Sequence, residues 1–303
     1  MTNATDYLGA EVVHQLAPLG TVSVTAAVRD AAAAERLLPA GISLACVDLA
    51  ADGGAVGRLV SRHDVVIHAA GVFRGCSDFE RDLVTPNAHM CRNVLDAAAH
   101  PKAAARRIVL TSSMAAVRGP GQAPGNGVAF TAADWNTKSR RDGPGMKPYQ
   151  YSKTETECSA WRFVDELAAN GGKRIELAQS VAMVRKWVTG DAAVESRLAV
   201  DVRDAARAHV LAALAPASAV AGRRLLLSCE AREAAAALAE ALRGALPHRT
   251  KIHADANFVS AVPVGAQEAV AADGLLARLG MRLRPARETM LDLARLADRE
   301  PGL

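Results

Sequence analysis

Apolar runs alternate with helical patterns along most of the chain, and this alternation constrains the fold more than any other feature. The runs are "TVSVTAAV" (21–28), "ISLACVDL" (42–49), "DVVIHAAG" (64–71), "RRIVLTSS" (106–113), "RIELAQSVAMV" (174–184) and "RRLLLS" (223–228). Between them lie amphipathic stretches such as "EVVHQLAPLG", "NAHMCRNVLDAAAH" and "SKTETECSAWRFVDELAANGG". A strand followed by a helix returns the chain parallel to where it began, so the repeated order predicts an α/β fold: a doubly wound parallel sheet with helices on both faces. Ligands in such folds sit beyond the carboxyl ends of the strands, which directs attention to the residues just after each run. The Gly- and Pro-rich stretch 118–148 is a long loop before a helix, a common place for function. After residue 184 the text turns Ala-rich and helical. Two parts are therefore expected: a cofactor domain over 1–184 and a small, mostly helical C-terminal substrate lobe over 185–303. Within the lobe, "VDVRDAARAHVLAAL" (200–214) and the residues to about 228 return to the main body.

The composition excludes several classes. Half of the 303 residues are hydrophobic and 22% are charged, which is ordinary for a globular enzyme. No run of eighteen apolar residues is present, and Asp6 and Glu11 stand where a signal peptide would carry Lys or Arg, so a cytoplasmic protein without a membrane partner is expected. The net charge of +4 is small, and Arg alternates with Asp and Glu, as in "RLRPARETMLDLARLADRE". That pattern is a solvated helix face rather than a nucleic-acid stripe. The five cysteines are scattered without a C-x-x-C pair and read as free thiols. The histidines show no short-spaced pair with a carboxylate, so no metal is expected; His68 reads as a strand-end residue and His209 as a helix-surface one.

"PYQYSKTETE" (148–157) carries the most chemistry. Tyr149 and Lys153 stand four apart at the start of a helix and share a face, whereas Tyr151 and Lys153 do not. A lysine ammonium beside a phenol lowers the phenol's pKa toward neutrality, making Tyr149 an acid for a carbonyl oxygen. Upstream, the apolar run "IVLTSS" brings Thr111, Ser112 and Ser113 to the ligand edge of the sheet, where a hydroxyl can hold the same oxygen.

With these residues the sequence resembles the extended short-chain dehydrogenase/reductases of the NAD-dependent epimerase/dehydratase superfamily, in the dihydroflavonol reductase-like, aldehyde/ketone reductase branch. The similarity runs through "TNATDYLGAEVVHQL", "AAVRD", "CVDL", "VVIHAAGVF", "TPNAHMCRNVLDAA", "LTSSMAAV", "FTAADWN", "YQYSKTETE" and "VDVRDAARAHVLAAL". It implies a Rossmann-like fold. It also implies Ser113 as the carbonyl-orienting serine, Tyr149 as proton donor, and Lys153 as the residue that binds the nicotinamide ribose and tunes the tyrosine. Cofactor contacts would come from Thr5, Tyr7, Leu8 and Gly9 in the turn, and from Arg29, Asp48, Leu49, Ala69, Ala70 and Gly71 after later strands. A guanidinium at Arg29 suits a 2′-phosphate, so NADP is favoured over NAD.

Three departures from the pattern stand out. The family turn T-G-x-x-G-x-x-G is here Thr2-Asn3-Ala4-Thr5-Asp6-Tyr7-Leu8-Gly9, and only the last glycine remains. Asn3 tolerates a left-handed backbone, but Asp6 brings a carboxylate toward the pyrophosphate. The first strand is missing before this turn, so the chain as given either starts late or has decayed. An N-P-G segment is replaced by Ser180-Val181-Ala182, with Arg185, Lys186 and Trp187 after it, and the stretch from there to "VDVRD" is short. The expected function is an NADP-dependent oxidoreductase that interconverts a small ketone or aldehyde and its alcohol, as a monomer or homodimer. Two alternatives stay open: an impaired homologue acting in binding or regulation, and a non-redox isomerase, cyclase or lyase.

Overall fold

The computed structural model describes residues 1–72, 78–142, 147–179, 200–228, 234–254 and 274–299. Five strands, β1 (Thr25–Val28), β2 (Ser43–Cys46), β3 (Val65–His68), β4 (Arg107–Leu110) and β5 (Glu176–Gln179), alternate with helices α1 (Tyr7–Leu16), α2 (Ala31–Leu37), α3 (Gly53–Val60), α4 (Thr85–Ala99), α5 (Met114–Val117) and α6 (Lys147–Ala169). Then follow α7 (Val202–Leu214), α8 (Ala217–Val220), α9 (Ala235–Ala245), α10 (Gly274–Arg278) and α11 (Ala286–Arg299). All strand pairs are parallel: β1 with β2, and β3 with β4 with β5. Between β1 and β3, Thr2 forms a parallel bridge to Ala27 on one side and to His68 on the other. The Met1 carbonyl accepts from Ala27 N–H at 2.8 Å, and Thr2 N–H donates to the Ile67 carbonyl at 2.9 Å. Met1 and Thr2 thus hold the central place in the order β2, β1, Thr2, β3, β4, β5.

Strand alternation sorts the core into two layers. Ile67, Val109 and Ala178 face α1 and α7, where Val12, Leu16 and the small residues Ala205, Ala206 and Ala208 pack. Val66, Ile108, Leu110 and Leu177 face α3, α4 and α6, packing on Val56, Val94, Leu95 and Ala160. Aspartates start three of the helices by accepting backbone N–H groups: Asp30 from Ala33, Asp52 from Ala55 and Asp201 from Arg203. The segment 223–228, expected as a strand, has no ladder assigned to it among the described residues, and its Leu225, Leu226 and Leu227 are buried. A separate cluster of Leu238, Leu242, Met290 and Ala294 joins α9 to α11. Among the described residues no helix is long and apolar enough to cross a membrane, and no group of three His, Cys, Asp or Glu is placed to hold a metal.

Candidate active site

The turn after Thr2 opens the site. Asn3 takes a left-handed conformation (φ 54°), the conformation its sequence position demanded and that Asn tolerates better than most side chains. The turn delivers the chain into α1, whose Gly9 lies against it: a Cβ there would stand 2.0 Å from the Asn3 carbonyl oxygen. Glycine is therefore required at this position by the approach of two backbones. Asp6 sits just before α1 with its carboxylate exposed, and it caps no α1 amide. Instead it accepts from the Asn3 side-chain amide at 3.1 Å. Thr5 and Leu8 are half-buried and Tyr7 is exposed.

Thr2 fixes the neighbouring strand end. Its hydroxyl oxygen accepts from the N–H groups of Ala69 (3.1 Å) and Ala70 (3.2 Å) and lies 3.0 Å from His68 Nδ1. With two donors already on the oxygen, the hydroxyl proton goes to Nδ1, so His68 is neutral with its proton on Nε2. Burial, then the charge of Lys153, push His68 down to about 3. His68, read from sequence as a plain strand end, is thus a buried member of the site.

At the far side of the sheet Arg29 is exposed beyond the end of β1. Its neighbour Asp30, a competing ribose ligand by position, spends one carboxylate oxygen on the Ala33 amide at the start of α2. Asp48 accepts from Ala50 and Ala51 N–H at 2.9 and 3.0 Å, shaping the turn after β2, while Leu49 is buried.

Ser113 follows β4 and caps α5, its hydroxyl oxygen accepting from Ala115 N–H at 3.1 Å. Tyr149, in the first turn of α6, is hydrogen-bonded to the Ser113 side chain. Lys153, one turn on, is half-buried next to Gly71: a Cβ on Gly71 would lie 3.1 Å from Lys153 Nζ and 3.5 Å from Asn87 Oδ1. Asn87 ties the turn after β3 to α6, accepting from Val72 N–H at 2.7 Å and donating to the Ser152 hydroxyl at 3.1 Å. Tyr151 lies apart, its ring under the Arg141 guanidinium. The structure thus pairs Ser113 with Tyr149 and sets Lys153, one helical turn on, beside Gly71, while Arg29 and Asp48 follow the ends of β1 and β2.

One electrostatic expectation is reversed. Burial raises the Tyr149 phenol above its ordinary value, and the Ser113 hydrogen bond only opposes this. Lys153 itself is pushed down by burial, against the pull of Cys91 and Glu157. His209, expected on a helix surface, is fully buried: it lies 2.7 Å from the Ala205 carbonyl and 2.8 Å from the Thr111 hydroxyl, and burial lowers it to about 4. α7 packs on the sheet through this face, which an Ala-rich pattern concealed. The replaced N-P-G segment (Ser180, Val181, Ala182, Arg185, Lys186 and Trp187) lies outside the described residues.

A family profile described as NAD(P)H-binding matches residues 4–157, about half of the chain, from the turn through the third turn of α6, one turn past Lys153. The chain belongs to this NAD(P)H-binding family. An uncharacterised oxidoreductase of Saccharomyces cerevisiae is 27% identical over 221 residues, a match that spans 62% of this chain and 63% of that relative's length. The yeast methylglyoxal/isovaleraldehyde reductase Gre2 in complex with NADPH superposes with a TM-score of 0.78 at 22% identity, covering 100% of this chain and 98% of that one. Vestitone reductase from alfalfa (Medicago sativa) gives 0.72 at 19% identity, covering 99% and 97%. These likenesses show the α/β Rossmann-like fold with parallel strands.

Proposed function

We propose that the protein is an NADPH-dependent reductase of small ketones or aldehydes. The observation that carries this reading is the hydrogen-bonded Ser113–Tyr149 pair at the carboxyl end of β4, with the Lys153 ammonium one helical turn away. Bound NADPH would supply the hydride. The Ser113 hydroxyl donates to the substrate carbonyl oxygen and holds it beside Tyr149. Tyr149 then gives its proton to that oxygen as negative charge develops there. A phenol raised by burial is fully protonated at neutral pH, which suits the reductive direction; the nearby Lys153 ammonium stabilises the phenolate left behind. Lys153 is also the residue to hold the nicotinamide ribose, with Ala69, Ala70 and Gly71 giving the backbone room beside it.

The residues fit most of the cofactor. The left-handed Asn3 and the Gly9 contact shape a turn that aims the first amides of α1, at Tyr7, Leu8 and Gly9, toward a pyrophosphate, with Thr5 on the same turn. Arg29 favours the 2′-phosphate of NADP over the bare ribose of NAD because Asp30 is engaged as a helix cap. Asp48 and Leu49 are the residues to flank the adenine. We place the cofactor domain at 1–184 and the substrate lobe at 185–303, and read Met1 and Thr2 as the end of the family's first strand. The yeast structural neighbour is named for two small carbonyl compounds and was seen with NADPH, which supports the same substrate class here.

Asp6 favours a second reading, a homologue that binds cofactor weakly and acts by binding alone. Fluorescence titration with NADPH, followed by NADPH oxidation over a panel of small aldehydes and ketones, separates the two. Micromolar binding with turnover supports the reductase, and binding without turnover on any carbonyl refutes it.

A further inference from the structure

Tyr149, Lys153, Glu157 and Trp161 follow one another at four-residue spacing along α6 and so share one stripe. Glu157 is 1% exposed, and every lone-pair direction it offers is taken. Ser112 Oγ donates to Oε2 at 3.0 Å and Trp161 Nε1 to Oε1 at 3.2 Å. Arg224 grips both oxygens, from Nε at 2.6 Å and Nη2 at 3.2 Å. The guanidinium is itself buried, with its side chain 9% exposed, and it continues past Glu157. Nη1 donates at 2.7 Å to both the Ala132 and the Asp134 carbonyls, and the group lies 3.9 Å from the centre of the Trp135 ring. One side chain from the 223–228 segment thus joins the catalytic helix to the "FTAADWN" loop.

That loop leads back to the two elements that carry Ser113 and Tyr149. Asn136 donates to the Ala115 carbonyl in α5, just after Ser113, and to the Ser139 hydroxyl, both at 2.7 Å. Ser139 in turn donates at 3.0 Å to Gln150, the residue after Tyr149. A closed ring of hydrogen bonds therefore runs from Arg224 through the loop to α5 and the start of α6, and from Arg224 through Glu157 to Ser112. Ser112 and Ser113 are adjacent, and each is bonded to α6, one at Glu157 and the other at Tyr149. The end of β4 is pinned to the helix at two points about 12 Å apart along its axis.

We propose that Arg224 and Glu157 are positioning residues of the active site, setting the spacing of the Ser113 and Tyr149 hydroxyls through Ser112 and through the Trp135–Asn136 loop. The buried carboxylate also lies near enough to Lys153 to favour its charged form against burial. A fold staple alone would need neither the Ser112 tie nor the return through Asn136 to α5.

Two variants test this, and the kinetic arm rests on the reductase reading. Ser112→Ala cuts the tie to β4 while leaving the Arg224–Glu157 pair whole; Arg224→Met removes the clamp. In both, kcat for NADPH-driven carbonyl reduction is expected to fall at least about tenfold, as a small misplacement of reacting groups costs. The carbonyl KM and the NADPH Kd should stay within about twofold, because neither residue is placed to touch ligand. Wild-type kcat in Ser112→Ala overturns the proposal, even where Arg224→Met fails to fold. Should the unaltered chain reduce no carbonyl, the reductase reading fails separately, and the geometry is then read from the isotope-labelled Cζ resonance of Tyr149, assigned by its loss in Tyr149→Phe. Displacement of that resonance in Ser112→Ala supports the positioning role, and an unmoved resonance overturns it.

Discussion

Replacing Gly9 with alanine tests the turn more directly than any ligand experiment. The added Cβ would stand 2.0 Å from the Asn3 carbonyl oxygen, 2.9 Å from the Asn3 carbonyl carbon and 3.0 Å from Ala4 Cα. Carbon and oxygen approach no closer than about 3.3 Å in ordinary contacts, so a gap of about 1.3 Å must open. All three opposing atoms are backbone, and no side-chain rotation relieves the clash. Either α1 withdraws or Asn3 leaves its left-handed conformation, and both alter the packing of Val12, Val13 and Leu16 behind the helix. Overpacking of this kind costs about 3 kcal/mol, equivalent to a fall of roughly 6–12 °C in Tm for a chain of this size class. Gly57→Ala is the matched control: it lies inside α3, its Cβ would meet nothing within 4 Å, and helix propensity then predicts a gain of about 0.5–1 kcal/mol. Urea unfolding of both variants, followed by circular dichroism and compared through midpoint and slope, measures the difference. If Gly9→Ala unfolds at the same urea concentration as the unaltered protein, the close approach of turn and helix is not real and the reasoning is refuted.

Four further outcomes are expected. Tyr149→Phe should abolish turnover, by at least about a hundredfold, while NADPH affinity stays nearly constant, and Tyr151→Phe should do little; equal losses in steady-state assays would remove Tyr149 from its role. Arg29→Ala should weaken NADPH by about 1.5–3 kcal/mol and leave NADH unchanged, as read by fluorescence titration with each cofactor. Asp6→Gly should tighten NADPH about five- to tenfold at low salt, with the gain shrinking as ionic strength rises; a gain that salt leaves untouched would point away from charge. His68 and His209 are uncharged in the fold, lowered to about 3 and about 4, whereas the unfolded chain protonates each below about pH 6.5, so unfolding takes up protons as the pH falls. Stability should then decline from about pH 6.5 down to those folded values, by up to about 1.4 kcal/mol per pH unit for each imidazole, and urea midpoints of His209→Gln should show a shallower slope.

The strands were legible because each is a short apolar run closed by turn residues, and five of the six runs hold a described strand within their bounds. In "RRLLLS" the apolar pattern announced burial, which Leu225, Leu226 and Leu227 show, but burial alone does not say which strand a segment lies beside. Tyr149, Lys153 and Ser113 were legible through spacing, and the same four-residue step would have reached Glu157 and Trp161 had the stripe been followed further. Arg224 carries no such mark: it stands 67 residues from Glu157 in sequence, inside a run whose apolar neighbours invite a plain strand reading. The phenol's direction was misjudged because a helix spacing places Lys153 near Tyr149 but is silent on burial, which dominates. His68 and His209 looked incidental, since a buried imidazole is defined by partners, Thr2 and Thr111, that are distant along the chain.

The Arg224 clamp also bears on the order in which the molecule becomes itself. Its bonds to Glu157, Ala132 and Asp134 close stretches of 67, 92 and 90 residues, and the guanidinium enters from a segment that comes after every described strand of the sheet. Closing such long loops is entropically costly and is rewarded only once local helices and the parallel ladder exist to receive the contact. A chain emerging from the ribosome could therefore assemble the five described strands and still hold its hydroxyls out of register until the last third arrived. On refolding, recovered secondary structure should precede recovered activity, and the interval between them is the time Arg224 takes to find Glu157.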